Sequence, residues 1–309
     1  MRYRDVYGVT IDDFFDLYNS SSTTKTLVGV SSVDVSIDST TFTAVGDYNR
    51  AIRYVGLTKM SPTITIESLD VLWAFHAGYH DGKVYWLVPP ACYPPLGSEP
   101  HNLKIEVENC VCTERRVSLT HGELAKETLT IRAYSSDGTT SPISISVVTD
   151  ELPNNGESPW QLSYIHRDLS GLKFTDKETS TTTTLNEVQS IEWTESGTVV
   201  EDSSENDVWL TCIFVTDLQT ELTVTFRDLE QVDLSAFKIG RKGKIEFDTK
   251  RLSDYHGLST NNAYKFTADN ATITGINFTN THADYTEVSV TFLIHGTMTE
   301  TPFVEVPEE

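Results

Sequence analysis

The sequence predicts an all-β protein: two tandem antiparallel β-sandwich or barrel domains related by internal duplication, with short helices. Three observations carry that expectation. Apolar and polar residues alternate with a period of two in run after run. Those runs are rich in Thr, Val, Ile and aromatics, which suit a pleated, half-buried surface. Short blocks also recur in the same order about 160 residues apart, the sign of a repeated architecture.

The alternating runs include 32–38 (SVDVSID), 63–68 (TITIES), 104–109 (KIEVEN), 128–134 (TLTIRAY), 221–226 (ELTVTF), 244–249 (KIEFDT) and 287–294 (EVSVTFLI). Asp81-Gly82 and Asp137-Gly138 are turn signals between such runs. Three segments have a helical aspect. Residues 10–18 carry a capping Thr10 with Asp12 and Asp13 in the first turn, and 68–78 and 228–240 each end at a glycine. Residues 181–186 (TTTTLN) and 202–207 (DSSEND) read as exposed loops or hairpin tips.

The repeat aligns 32–34 with 190–192, 63–70 with 223–230, Phe75-x-x-Gly78 with Phe237-x-x-Gly240, Gly82-Lys83 with Gly243-Lys244, and Thr120-His121 with Thr281-His282. The Pro/Gly/Asn-rich stretch 149–161 is the boundary. The expected domains are therefore 1–155, with an N-terminal arm and a proline-rich loop at 88–102, and 156–309. A length of 309 residues suits two such units. Each is large enough to bury a core without disulfide or metal staples.

Charge narrows the function. The chain has 45 acidic and 23 basic residues, net −22. That excludes a protein built mainly to grip nucleic-acid phosphates or an anionic membrane. No stretch approaches the roughly 18 apolar residues of a membrane helix, and the first residues show no apolar signal region. Cys92, Cys110, Cys112 and Cys212 read as reduced thiols, mostly buried as small hydrophobes. One C-x-C without a histidine cluster is not a zinc signature.

The closing segment of the second repeat carries a pattern of its own. Ile273 and Ile276 lie on one strand, followed by a loop and a strand holding Val290, Thr291, Phe292 and Gly296. This pattern resembles the end of tailed-phage tail tube proteins, best over 220–298 and more weakly over 60–135. The first repeat lacks the V-T-F-x-x-x-G ending, and its proline-rich loop has no counterpart in the second. The resemblance implies a virion tail protein, assembled in the host cytoplasm, that self-associates into rings and tubes. DNA would pass through without specific binding, and other tail or baseplate proteins would be its partners. Tube domains commonly form sixfold rings, so a duplicated chain implies stacked pseudo-hexameric trimers, or a tube-like hub.

Within that reading, Ile64, Ile66, Val224 and Phe226 point to the core. Thr63, Thr65, Glu67, Thr223, Thr225 and Arg227 lie on the opposite face and are the candidate channel-facing residues. The arm at 1–25, the loop at 88–102 and the tail at 303–309 are the segments expected to meet neighbouring subunits.

No catalytic, cofactor-binding or metal-ligating residue is assigned, and no cofactor is expected. His76 and His80 are four apart, but Ala77 stands where a zinc protease helix needs Glu. His121 and His282 hold matched repeat positions, which suits a duplicated structural role. Gly240-Arg241-Lys242-Gly243-Lys244 is a basic turn suited to phosphate or an acidic neighbour, without P-loop spacing. The alternative function is a two-domain β-sandwich carbohydrate-binding or adhesin module, with Trp73, Trp86, Tyr93 and Trp160 as a sugar platform. An enzyme on a similar scaffold ranks last.

Overall fold

The β-branched, alternating composition commits the backbone to extension. The computed structural model describes residues 7–15, 22–27, 29–45, 52–69, 71, 75–90, 101–149, 163–164, 172–185, 187–227, 237–252, 258–279, 286–295 and 299–302. Among them every regular element is a strand. The first half holds β1 (Tyr7–Phe15), β2 (Ser22–Leu27), β3 (Val30–Val45), β4 (Ile52–Ser68), β5 (Gly82–Val88), β6 (Asn102–Thr120), β7 (Lys126–Ala133) and β8 (Ile143–Val148). After a two-residue β9 (Ser163–Tyr164) come β10 (Leu172–Asp176), β11 (Thr182–Leu185), β12 (Val188–Asp202), β13 (Cys212–Phe226), β14 (Lys242–Leu252), β15 (Leu258–Thr279), β16 (Glu287–Ile294) and β17 (Thr299–Pro302).

All ladders are antiparallel, and the two halves pair alike. In the first, β3 pairs with β4, β4 with β7 and β7 with β6. Strand β6 also pairs with β5 and β8, β5 with β1, and β1 with β2. Adding nine to each strand number gives the pairing of the second half.

The irregularities repeat as well. The β3–β4 ladder slips between Val30 and Ser32, and β12–β13 between Val188 and Ser190. The β6–β7 ladder slips between Cys112 and Glu114, and β15–β16 between Ile273 and Gly275. Glycines with positive φ sit at matched turns, Gly78 at 91° and Gly240 at 88°. Each turn then bonds a long strand. Gly78 N–H donates to Cys112 O at 2.7 Å, and Gly240 N–H to Ile273 O at 2.8 Å.

These registers correct the sequence alignment in one place. Val30 with Ser68 corresponds to Val188 with Phe226, an offset of 158 on both strands. Matching 63–70 to 223–230 is therefore two residues out. Because side chains alternate with period two, the error leaves every residue on its expected face.

Each half is a sandwich. Buried residues of β1, β2 and β5 share one core with those of β4 and β7 in the first half, among them Ile11, Phe14, Val84, Ile64 and Ile131. Strand β6 serves both layers, pairing with β5 near its start and with β7 further on, and it bends at bulges. The second core gathers Phe174, Trp193, Val224, Phe226, Phe247, Phe266 and Phe292.

Three expectations change. Residues 10–18 were expected to be helical, but 7–15 form strand β1. A bulge between Ile11 and Phe14, with Asp13 at φ 53°, puts both apolar side chains inward three residues apart and so imitates a helical period. Within the expected arm, 7–15 and 22–27 are sheet strands: β1 lies between β2 and β5, and Val9, Ile11, Phe14 and Leu27 are fully buried; residues 1–6 and 16–21 lie outside the described residues. Thr182–Leu185 of the supposed loop is strand β11, whereas Ser203–Asp207 does form a hairpin tip. Of the two other helical segments, the described parts (71, 75–78 and 237–240) contain no helix. Residues 91–100, 150–161 and 303–309 lie outside the described residues.

Gly82 and Gly243 occupy matched positions because an aromatic ring presses on each. A Cβ there would strike the Phe14 ring in one half and the Phe174 ring in the other. Gly243→Ala is expected to cost about 1–3 kcal/mol by overpacking, read as a lower urea midpoint with an unchanged slope. A stability within a few tenths of wild type would contradict the packing described.

Candidate functional site

Strands β3, β4, β7, β6, β12, β13, β16 and β15 lie side by side, so their outward residues form one face. The registers trace rows across it. One row runs Ser32, Glu67, Thr128, Arg116, Thr194, Glu221. The next runs Asp34, Thr65, Thr130, Glu114, Ser196. Further along are Ser118, Glu192, Thr223, Thr291 and then Thr120, Ser190, Thr225, Ser289.

All six sequence-nominated residues, Thr63, Thr65, Glu67, Thr223, Thr225 and Arg227, therefore belong to one side of one sheet. The four apolar partners Ile64, Ile66, Val224 and Phe226 are fully buried beneath them. Alternation placed each residue on a face. It did not show that the two repeats would be joined into a single surface.

This face is polar and self-satisfied. Thr223 and Thr291 share a hydroxyl hydrogen bond at 3.2 Å, and Thr225 and Ser289 one at 2.9 Å. Among the described residues its three arginines, Arg116, Arg132 and Arg227, are paired. Arg227 donates to Glu287 through Nε at 2.8 Å and a terminal nitrogen at 2.6 Å. Arg116 pairs with Glu192, and Arg132 with Glu201. The arginines thus spend their charge on neighbouring carboxylates. Acidic residues Asp34, Glu67, Glu114 and Glu221 tip the surface negative.

The two halves meet where β12 pairs with β6, from Ser190 opposite Thr120 to Ser196 opposite Glu114. Val71, Val117, Leu119 and Ala125 of the first half fill the second half's core across this line. The tip of the β12–β13 hairpin docks on the first half too. Met60 N–H donates to Val208 O at 3.0 Å, and Ser135 N–H to Leu210 O at 2.8 Å.

Beneath the junction lies a buried charge network that sequence reasoning missed. Arg115 is fully buried; its Nε donates to Glu127 at 2.7 Å, and a terminal nitrogen lies 3.6 Å from Glu195. Its guanidinium sits 5.6 Å from the Trp193 ring centre. Glu195 also meets His76 Nδ1 at 3.0 Å and accepts from Ala77 N–H at 3.1 Å. Burial pushes the Glu195 carboxyl up, but the His76 hydrogen bond, the Arg115 charge and the Ala77 N–H outweigh it. The group sits below its ordinary 4.5. A sequence clue existed in charged residues at core-parity positions 115, 127 and 195. Only the register brings them together.

The other nominated features resolve locally. His76 belongs to this network, while His80 pairs with Asp81 at 2.7 Å. In the basic turn, Arg241 is held by Asp176 and Glu178, both at 2.9 Å, and Lys244 by Glu246 at 3.1 Å. Cys110 and Cys112 are buried free thiols, and burial pushes both up; Cys212 is exposed. A pocket of about 190 Å³ beside Lys242, Thr272 and His295 is smaller than the roughly 300 Å³ of ordinary ligand sites. Among the described residues no group of three His, Cys, Asp or Glu could hold a metal ion. No protein-family model matches the chain, and no curated protein matches it.

Two outcomes test the network. Arg115→Ala leaves two buried carboxylates without their cation and is expected to cost about 3–5 kcal/mol, measured by denaturant unfolding. The folded pKa of Glu195 lies below its unfolded value. Its contribution is therefore present above pH 4.5 and is lost as pH falls through the folded value. Glu195→Gln should flatten the acid limb of the stability profile below that pH. An unchanged acid limb would refute the assignment.

Proposed function

We propose that the chain is a non-enzymatic structural protein whose copies assemble into the hollow tail tube of a virus-like particle, as stacked trimeric, pseudo-hexameric rings. The observation that carries this reading is the continuous polar face. It spans both repeats, is lined by hydroxyls, and among the described residues holds its arginines in ion pairs. Among the described residues the arginines of this wall are neutralised by carboxylates, and Lys126, opposite Ser118, lies 3.6 Å from Glu123; DNA therefore gains little from counterion release there and slides. The net charge of −22 acts in the same direction. The matched strand order of the halves supports pseudo-sixfold packing from three chains, since each half presents the same framework to its neighbours. The resemblance of residues 220–298 to tail tube proteins points the same way.

Negative-stain microscopy of purified protein, with mass by light scattering on the same sample, tests this. Hollow rings or tubes with threefold mass are expected. Solid particles, or glycan binding by a permanent monomer, would favour an adhesin instead.

The face itself can be probed. Glu192→Gln with Glu287→Gln removes the carboxylate charges that face Arg116 and Arg227 without altering shape. The double variant should be retained on a DNA column at low salt and released on salt addition, while wild type flows through. Equal flow-through of both proteins would show that pairing does not control the face.

A further inference from the structure

The junction between the halves leaves its own counterparts open. Strand β12 uses residues 190–196 to pair with β6 residues 114–120. Their equivalents by register are residues 32–38 of β3, offset 158, and, within β15, residues 275–279, offset 161. Residues 32–38 pair with β4 on one edge, and 275–279 pair with β16. By the ladder registers, the second edge of each pairs with no other described strand. Open edges of this kind are templates for another chain.

The side chains on those edges say what is missing. Val35 is 39 % exposed, Ile37 51 % and Phe278 54 %. Their counterparts at the filled junction are buried: Trp193 for Val35, Glu195 for Ile37 and Val117 for Phe278, all at 1 % or less. Transferring the register places Val35 opposite Phe278, as Trp193 is opposite Val117, and Ile37 opposite Ile276, as Glu195 is opposite Arg115. The first pair exchanges large and small across the seam, aromatic plus β-branched in both cases. The second replaces an ion pair by two isoleucines.

We infer that residues 34–38 of one copy add as an antiparallel strand to residues 275–279 of the next, head to tail, with Val35 packing on Phe278 and Ile37 on Ile276. The occupant of both edges is a second copy of this chain, because the chain already builds the same ladder internally. Phe278 then fills the open flank of the next copy's first core, as Val117 fills the second core at home. A heterologous contact of this kind closes into a ring or runs on as a filament. The inference names the subunit contact of the assembly proposed above and rests on that reading for its biological setting.

Disulfide trapping tests the register. Opposed antiparallel residues have Cα atoms about 4.5–5.5 Å apart, within the roughly 4.4–6.8 Å a disulfide spans. In a Cys92→Ser, Cys212→Ser background, Val35→Cys with Phe278→Cys is oxidised with copper–phenanthroline. A reducible ladder of linked chains is expected on denaturing gels, and none from either single variant. Absence of that ladder at every concentration overturns the junction. Microscopy of the same samples separates the two readings. Linked chains without hollow particles keep the junction and sink the conduit, while hollow particles without the link do the reverse. Ile37→Glu in the otherwise native chain gives an independent arm if the cysteine variant misfolds. It should weaken self-association by about tenfold or more, as a carboxylate buried without a partner does. Unchanged association of a folded Ile37→Glu protein overturns the inference.

Discussion

Backbone pairing along one open strand edge governs this molecule. Strand β6 is long enough to belong to two sandwiches: its early residues pair with β5 and β8, its later ones with β7 and β12. Without β12, residues 114–120 would present unpaired amides and carbonyls beside an uncovered apolar flank. The seven-residue ladder satisfies those groups and brings Val117 and Leu119 into the second core. The shared polar face depends on the same ladder, because a break there would leave two small sheets at an arbitrary angle. The register then fixes every row across the face, since a slip of one residue would turn Trp193 outward.

The buried network under this seam illustrates what charge does inside a protein. Arg115, Glu127 and Glu195 are costly to desolvate, and their mutual attraction offsets that cost only through geometry. An apolar seam of similar volume would hold at least as well. Charge adds selectivity: a strand bringing an apolar residue opposite Arg115 would take the Glu195 carboxylate away from that buried cation. Register and partner are thereby fixed together.

Much of this was legible in the sequence, and the failures have physical causes. Period-two alternation located the core strands and put Thr65 and Thr223 on the correct face, because pleating follows directly from spacing. The repeat was visible because turns such as Phe75-x-x-Gly78 and Phe237-x-x-Gly240 impose a glycine with positive φ and a buried ring. Residues 10–15 misled because a bulge shifts the period locally. The offset across 63–70 was misjudged because Thr-rich strands match themselves equally well two residues along. The Arg115 network was invisible because its members come from three strands, and nothing local in sequence encodes which strands become neighbours.

The two kinds of seam bear on assembly order. The internal seam is charged, and the edges left open carry Val35, Ile37, Ile276 and Phe278 instead. Pairing β3 with the β6 edge would set Ile37 against Arg115, and pairing β12 with β15 would set Glu195 against Ile276. Either exchange separates the buried Arg115 and Glu195 charges, which face each other at 3.6 Å in the internal seam, and so costs stability. Each edge therefore discriminates against the wrong partner even though the backbones are alike. The charged seam is covered by its own chain and needs no neighbour to be satisfied. The apolar edges tolerate water one subunit at a time, and gain from burial when a second copy arrives. A duplicated chain can in this way fold its first junction alone and leave the second for its neighbour, with the same ladder used twice and the side chains deciding which is which.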